Sequence, residues 1–129
     1  NSEIDQMLRK FTKKKFQFNF TPHLSPMFRG ILSTIYVDLE NNISQTKVLK
    51  TLISFYKNEN FVKILKSDSL LSTNDVINTN NCYISVCKSK YNNKIIILSA
   101  IDNLIKGGAG QAIQNLNNKF NFPEKTGLI

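Results

Sequence analysis

The stretch SAIDNLIKGGAGQAIQN, residues 99–115, decides how the rest of the chain is interpreted. It begins at the end of an apolar run, passes through Asp102 and Asn103, crosses a glycine-rich turn and enters a helical pattern. A strand that ends in a small-residue turn before a helix gathers backbone N–H groups at one point, where an anion or the edge of a cofactor can bind. Glycines also precede helices in turns that only pack as a corner, so the spacing by itself leaves both interpretations open.

The composition indicates a single globular domain. The chain has 129 residues, of which 41% are hydrophobic and 20% charged, as is typical of folded proteins with one core. No apolar run approaches the roughly 18 residues that a membrane span needs, and the first ten residues lack the apolar stretch of a signal peptide. We therefore expect a cytoplasmic protein without a membrane segment. Because the sequence does not begin with Met, we expect a fragment or a processed form.

The net charge of +8 permits binding to nucleic acids or to anionic ligands. Nearly all of the positive charge comes from lysines that are scattered along the chain, and only residues 13–15 form a basic run. A short run of this kind is typical of a solvated face. We therefore expect no nucleic-acid partner.

The two cysteines, Cys82 and Cys87, are five residues apart, which places them on opposite faces of a strand. This offset is unsuitable for a disulfide between them. With one histidine and no further cysteine, the chain lacks the usual ligands of a zinc site. We expect reduced thiols and no metal.

The order of periodic segments predicts an α+β fold, with a mostly antiparallel, mixed sheet and helices packed on one face. Apolar residues at helical spacing predict helices, and alternating or β-branched runs predict strands. The predicted helices are residues 2–10, 44–56 and 108–120, and the predicted strands are residues 15–20, 31–39, 61–65, 75–78, 82–88 and 94–100. Pro22 and Pro26 predict an irregular segment between the first two strands.

Few side chains offer acid–base or nucleophilic chemistry. His23, the single histidine, follows Pro22 in a stiff loop and is either a firmly held imidazole or a solvent-facing side chain. Arg29 is one of two arginines in a lysine-rich chain; it suits bidentate binding of a carboxylate or phosphate, or a salt bridge at the start of a strand. Cys82 has no histidine nearby in sequence and is interpreted as a small buried residue. The residues alone thus indicate a binding or assembly domain without a complete active site.

Three stretches resemble one known family, the N-acetyl-gamma-glutamyl-phosphate reductases. FTPHLSPMFRGIL, residues 20–32, resembles the family signature FTPHLxPMxRGIL. Residues 99–115 resemble its SAIDNLxKGAAGQAxQN segment, with Gly108 at the position of the usual alanine, and PEKTGL, residues 123–128, resembles its closing PExTGL. The stretches occur in the family's order and extend the resemblance over the whole chain.

The resemblance implies a glyceraldehyde-phosphate-dehydrogenase-like C-terminal domain, and residues 1–129 would form this single domain of a larger two-domain enzyme. The family reduces N-acetylglutamyl phosphate to N-acetylglutamate semialdehyde and phosphate with NADPH, in arginine biosynthesis. Its N-terminal NADP-binding domain and its catalytic cysteine are absent from this chain. Residues 1–4, NSEI, resemble the end of the family's H-R-H-x-P-E-I segment, so the catalytic histidine would lie just before Asn1. The chain would then contain no catalytic residue and be inactive alone.

The remaining site residues are assigned by the same resemblance. His23 and Arg29 would border the substrate, and Asn103 would meet the nicotinamide carboxamide of NADP. The other cofactor-binding residues would be those of the glycine turn, Lys106, Gly107 and Gly108. The implied partners are the substrate, the protein's own N-terminal domain and further copies in a dimer or tetramer. The alternative is a non-enzymatic dimerisation or regulatory domain of the same fold.

Overall fold

The computed structural model describes residues 2–12 and 16–129, so the basic run at residues 13–15 lies outside the described part. Within these described residues, three α-helices and four strands occur in the order αβαβββα. They are α1 (Ser2–Phe11), β1 (Ile31–Asp38), α2 (Gln45–Phe55), β2 (Val62–Ile64), β3 (Cys82–Lys88), β4 (Lys94–Ile101) and α3 (Gly110–Lys119). A 3₁₀ turn at Thr73–Asp75 and a π-helical turn at Ile105–Ala109 complete the set.

The four strands form one mixed sheet in the order β1-β4-β3-β2. β4 pairs antiparallel with both β1 and β3, whereas the short β2 runs parallel to β3. The predicted α+β class and the mostly antiparallel, mixed sheet are therefore confirmed. Because Ile101 lies opposite Ile31 on one side and Cys82 on the other, the end of β4 lies between two neighbours.

The core lies against the central strands, which explains why β4 is the most apolar strand of the chain. Leu71, Val76 and Ala100 form a buried cluster on one face of the sheet. Val86 and Ile95 lie on the opposite face of the sheet and are also buried. A strand that is covered on both faces has no polar alternation, so its sequence reads as a continuous apolar run.

Helix α2 forms where the sequence pattern predicts it. Ser44 caps its start, since the Ser44 hydroxyl accepts the Lys47 N–H at 3.2 Å. The helix packs on β2 and β3. None of the helices in residues 2–12 and 16–129 has the length and apolar character that a membrane crossing demands.

The predicted strand at residues 15–20 is wrong for its described part, residues 16–20, which adopt no regular secondary structure. The phenylalanines at positions 16 and 18 do lie near each other, with ring centroids 6.1 Å apart. Alternation sets which side chains share a face, but a strand also needs a neighbouring backbone to pair with, and that neighbour is not encoded locally.

The predicted strand at residues 75–78 is also wrong, because local capping stabilises a turn there. Ser72 Oγ accepts the Asn74 N–H at 3.2 Å, and the Asp75 carboxylate accepts the Ser72 N–H at 2.7 Å. This reciprocal pair starts a 3₁₀ turn. Asn78 then adopts a positive φ of 65°, which is incompatible with an extended strand.

Candidate functional site

A buried carboxylate lies where β4 ends. Asp102 is 0% exposed and is surrounded by four hydrogen-bond donors. Arg29 Nε lies 3.0 Å from Oδ1 and 2.9 Å from Oδ2. The backbone N–H groups of Leu104 and Ile105 donate to Oδ1 at 2.8 and 3.0 Å, and that of Asn78 donates to Oδ2 at 2.8 Å. One carboxylate thereby joins three separate segments of the chain.

These donors also determine the charge of Asp102. Burial by itself raises the pKa of the carboxyl group, because the ionised form loses water. The hydrogen bonds from the Asn78 N–H, the Arg29 side chain and the Ile105 and Leu104 N–H groups outweigh burial and lower the pKa from 3.8 to about 2. Asp102 is therefore an anion at neutral pH.

Arg29 forms the salt bridge that its sequence context left open as one of two roles, and anion binding stays a prediction. Its side chain is 19% exposed and forms the salt bridge with Asp102 through Nε. Within the described part of the chain, neither Nη group donates a hydrogen bond. A guanidinium has five N–H donors in a planar fork, so four remain for an anion.

Asn103, the next residue after Asp102, is fixed on one side of its amide. Asn103 Oδ1 accepts the Gly30 N–H at 2.8 Å. In residues 2–12 and 16–129 nothing accepts a hydrogen bond from its Nδ2 group. The side chain is partly exposed, so it presents a donor to whatever lies beside the turn.

Gly30 is required at this contact for two reasons. Its φ of +104° lies in the region that L side chains rarely adopt. A Cβ atom there would also lie 2.7 Å from Cβ of Thr73. The loop before β1 therefore reaches the turn after β4 only because position 30 carries no side chain.

The glycine turn presents backbone on its outer side. Gly107 and Gly108 are exposed. A Cβ atom at Gly108 would meet only the Asn103 carbonyl oxygen, at 3.4 Å. The turn closes through backbone hydrogen bonds of the π-helical type, which join residues five apart. The Gly107 N–H donates to the Asp102 carbonyl and the Ala109 N–H to the Leu104 carbonyl, both at 2.9 Å. This surface suits a flat group that approaches the backbone.

Lys106 lies in the same turn, but its ammonium group is directed inward. Nζ donates to Gln114 Oε1 at 2.7 Å and lies 5.6 Å from the centroid of the Phe61 ring. Burial lowers the pKa of the Lys106 ammonium group, and the nearby Glu124 and Glu59 carboxylates oppose this effect. A role for Lys106 at the cofactor stays a prediction.

The inward face of α3 is polar. Gln114 Oε1 accepts from Asn80 Nδ2 at 2.9 Å as well as from Lys106, and Gln114 Nε2 donates to Glu124 at 2.6 Å. Asn117 Nδ2 donates to the carbonyl oxygens of Glu124 and Thr126 at 3.0 and 2.9 Å. This network attaches the closing PEKTGL segment to α3 and so to the glycine turn.

His23 lies in the exposed loop between residue 20 and β1. Its Nδ1 group donates to the Thr21 carbonyl at 3.1 Å. The neutral ring then has Nε2 as an acceptor. The structure thus joins Arg29, Asn103 and the turn, but no hydrogen bond connects His23 to Arg29 or Asn103.

Sequence reasoning missed Asp102 and Gln114 as site-forming residues. Asp102 directly follows the most apolar strand, and the N–H groups two and three positions further on are ones that an aspartate carboxylate accepts in a turn. Gly110, Gln114 and Asn117 recur at helical spacing, and all three are buried in α3. A polar stripe at that spacing marks a helix face that packs on other polar groups. Among residues 2–12 and 16–129, no three His, Cys, Asp or Glu side chains are close enough to hold a metal ion.

Comparisons with known proteins identify the family to which the chain is similar. The family model of the semialdehyde dehydrogenase dimerisation domain matches residues 1–103. The chain is 45% identical over 128 residues to the N-acetyl-gamma-glutamyl-phosphate reductase of Halothermothrix orenii, covering 98% of this chain and 37% of that protein. It is 45% identical to the enzyme of that name from Thermoanaerobacter pseudethanolicus and 47% identical to that from Vesicomyosocius okutanii, each over 126 residues and 98% of this chain. The chain thus spans only 37% and 36% of the length of these two relatives.

Proposed function

The chain belongs to the semialdehyde dehydrogenase dimerisation-domain family, and from this premise we propose that it is the C-terminal substrate and dimerisation domain of an NADPH-dependent reductase. The enzyme converts N-acetylglutamyl phosphate to N-acetylglutamate semialdehyde and phosphate in arginine biosynthesis. The names of relatives that are 45% identical over 98% of this chain support this reaction. The remaining length of the relatives leaves room for the nucleotide domain, the catalytic cysteine and the catalytic histidine, which we place before Asn1.

The observation that carries the proposal is the state of the Asn103 amide. The Gly30 N–H holds Oδ1, and Nδ2 keeps a free donor in the described part of the chain. A nicotinamide carboxamide has an oxygen that accepts such a donor, so the side chain fits this edge of NADP. NADPH, when bound, supplies the hydride.

The glycine turn supports the same side of the site. Gly107 and Gly108 offer exposed backbone next to Asn103, and we assign them to the cofactor edge together with the backbone of Lys106. The Lys106 ammonium group instead holds the turn against Gln114. These residues orient the cofactor, and the absent nucleotide domain provides most of its binding surface.

The loop before β1 forms the substrate side. Within the described residues the Nη groups of Arg29 have no hydrogen-bond partner, so they can donate to the carboxylate or the phosphate of the substrate. His23 lies on the same loop and has Nε2 as an open acceptor. We assign both residues to substrate binding.

The test is phosphate-dependent reduction of NADP⁺ by the full-length protein with N-acetylglutamate semialdehyde, followed by absorbance at the NADPH band. We expect turnover that depends on both phosphate and semialdehyde, and none from residues 1–129 alone. Absence of turnover by a folded full-length protein contradicts the proposal. Turnover by residues 1–129 contradicts the placement of the cysteine and histidine before Asn1.

A second observation favours an assembly role for the same domain. β1 is an edge strand of the sheet, and its apolar side chains are exposed on both faces, among them Ile35 (46%) and Tyr36 (75%). An exposed apolar edge strand is covered in a stable protein. The family description as a dimerisation domain supports our assignment of a second copy as the cover.

Sedimentation of the full-length protein tests this role. We expect an oligomer that Tyr36→Glu dissociates, because the substitution places a charge in the covered surface. Tyr91→Glu is the matched control, since Tyr91 is an exposed tyrosine outside β1. A monomeric wild type, or equal effects of the two substitutions, contradicts assembly through β1. Assembly without any reductase activity favours the non-enzymatic alternative.

A further inference from the structure

The two motif segments of the chain meet through side chains at one place. Residues 20–32 reach residues 99–115 through the Arg29–Asp102 ion pair and the Gly30–Asn103 hydrogen bond. The partners are 73 residues apart in sequence in both contacts. The substrate-side and cofactor-side residues of the proposed enzyme are thus neighbours through Asp102.

We propose that Asp102 is a positioning residue that sets the substrate-side guanidinium of Arg29 and the cofactor-side amide of Asn103 relative to each other. Its two oxygens hold Arg29 Nε, and Oδ1 also holds the N–H groups of Leu104 and Ile105. The inference rests on the proposed function, since that function gives Arg29 and Asn103 their ligands. Asp102 itself is buried and touches neither ligand.

On the substrate side, Asp102 determines which part of Arg29 stays available. Both carboxylate oxygens lie within 3.0 Å of Nε. Engagement of Nε fixes the guanidinium plane and keeps the Nη fork for an anion. Without the carboxylate, the fork is free to rotate and its own charge is unpaired in a partly buried position.

On the cofactor side, Asp102 determines the backbone conformation around Asn103. The carboxylate accepts N–H groups from the residues two and three positions further on, so the chain at Asn103 is closed into a turn. The amide rotamer depends on the Gly30 N–H. Gly30 is adjacent to Arg29, which Asp102 holds, so all four residues form one closed circuit.

A residue that only stabilised the fold would lower stability without linking the two ligands. The linked contacts of Arg29, Gly30, Asp102 and Asn103 predict a different result. Removing Arg29 weakens NADPH binding even when no substrate is present. If Arg29 did nothing but bind the substrate directly, its removal would raise only the KM of the substrate. The Kd of NADPH without substrate therefore separates the two cases.

The experiment uses the full-length protein and measures NADPH affinity by fluorescence titration without substrate. Arg29→Gln removes the charge and the Nε donor, and we expect the Kd of NADPH to rise about tenfold, a size typical of couplings between contacting residues. Arg9→Gln is the matched control, because Arg9 is the other arginine and pairs with Asp5 on the surface of α1. It should leave the Kd unchanged. A wild-type Kd in Arg29→Gln overturns the inference even if the KM of the semialdehyde rises.

Two further variants sharpen the result. Asp102→Asn keeps the shape of the side chain and should raise both the Kd of NADPH and the KM of the semialdehyde. Arg29→Lys keeps a cation opposite Asp102 but loses the fork, so NADPH affinity should recover relative to Arg29→Gln while the KM stays high. Equal NADPH affinity in Arg29→Lys and Arg29→Gln overturns the ion pair as the link. If Asp102→Asn does not fold, as judged by circular dichroism, the Arg29 variants decide.

The outcomes also separate this inference from the proposed function. A wild-type protein that neither binds NADPH nor reduces NADP⁺ removes the proposed function. A wild type that does both, with an Arg29→Gln variant of unchanged NADPH affinity, removes only the positioning role of Asp102.

Discussion

The backbone N–H of Gly30 donates to Asn103 Oδ1 at 2.8 Å, across 73 residues of sequence. This bond joins the loop that precedes β1 to the turn that follows β4. It exists only because Gly30 adopts a positive φ and has no side chain to meet Thr73. A backbone group thereby orients the side chain that we assign to the cofactor.

Replacing Gly30 is expected to break this junction. Gly30→Ala forces a side chain into a φ of +104° and places its Cβ 2.7 Å from Thr73 Cβ. We expect a loss of about 2 kcal/mol or more in the free energy of unfolding. Amide hydrogen exchange at residues 28–32 should accelerate.

Gly127→Ala is the matched control for this prediction. Its φ is also positive, at +72°, but a Cβ there would meet no atom of the described residues within 4 Å. It therefore carries the conformational cost of about 1 kcal/mol without the clash. Equal losses in the two variants would show that the contact with Thr73 is unimportant.

Stability should fall in acid through Asp102. Its folded pKa of about 2 lies below its ordinary value of 3.8, so the folded state favours the ionised form. The stability from this group is complete above the unfolded pKa of 3.8 and is lost as pH falls from there through about 2. Chemical denaturation measures the effect between about pH 6, which is roughly two units above the unfolded pKa, and about pH 2.5, which lies between the two pKa values.

Asp102→Asn should flatten this part of the pH dependence and lower stability at neutral pH by about 3 kcal/mol, because Arg29 loses its partner in a partly buried position. Asp38→Asn is the control, since Asp38 is an exposed carboxylate on β1 that pairs with Lys94. An unchanged acid profile in Asp102→Asn contradicts the described hydrogen bonds.

Gly110 should be irreplaceable although it lies in a helix. Alanine favours a helix over glycine by about 1 kcal/mol. A Cβ at Gly110 would, however, overlap Oδ1 of the buried Asn80 and lie 2.6 Å from Ile105 Cγ2. We expect Gly110→Ala to lower the free energy of unfolding by about 2 kcal/mol.

Asn118→Ala gives the comparison on the same helix. Asn118 is exposed in α3, so its replacement should change stability by about 0.5 kcal/mol or less. Thermal unfolding of both variants measures the difference. A stabilised Gly110→Ala would contradict the tight packing of Asn80 on the helix start.

Gln114 should determine whether the closing segment stays attached. Gln114→Leu leaves Asn80, Lys106 and Glu124 without a shared partner in a buried region. Unpaired buried polar groups cost about 1–3 kcal/mol each when a partner is removed. We expect lower stability and faster amide exchange at residues 123–128.

The control is Gln111→Leu, one turn earlier on α3, where the side chain donates to Asn115 Oδ1 on the surface. It should leave exchange at residues 123–128 unchanged. Equal exchange in the two variants would mean that the network does not anchor the segment.

Local sequence patterns were sufficient to predict helices with local caps and strands at the centre of the sheet. The bounds predicted for β3 agree with the structure, and α2 begins next to the Ser44 cap, because each follows from periodicity and capping. Residues 16–20 were misjudged since a strand depends on a distant partner. The 3₁₀ turn at Thr73–Asp75 was missed because the Ser72–Asp75 capping pair competes with extension.

The site was predictable in part. The sequence singled out Arg29 and Asn103 but treated them separately, and it left open whether Arg29 forms a salt bridge. Only the fold shows that Asp102 lies between them, because two of its four donors come from Arg29 and Asn78, which are distant in sequence. Burial of a charge cannot be inferred from sequence until its donors are located.

The measurement that tests the cofactor role of this turn most directly is the NADPH affinity of Asn103→Asp in the full-length protein. Aspartate keeps an oxygen for the Gly30 N–H but replaces the Nδ2 donor with a negative oxygen, so the junction survives while the carboxamide contact is lost. We expect the Kd of NADPH to rise about tenfold or more, with unchanged amide exchange at Gly30. The control, Asn92→Asp, makes the same change in an exposed turn and should leave the Kd of NADPH unaltered. Wild-type NADPH affinity in Asn103→Asp would contradict the assignment of residues 99–115 to the cofactor.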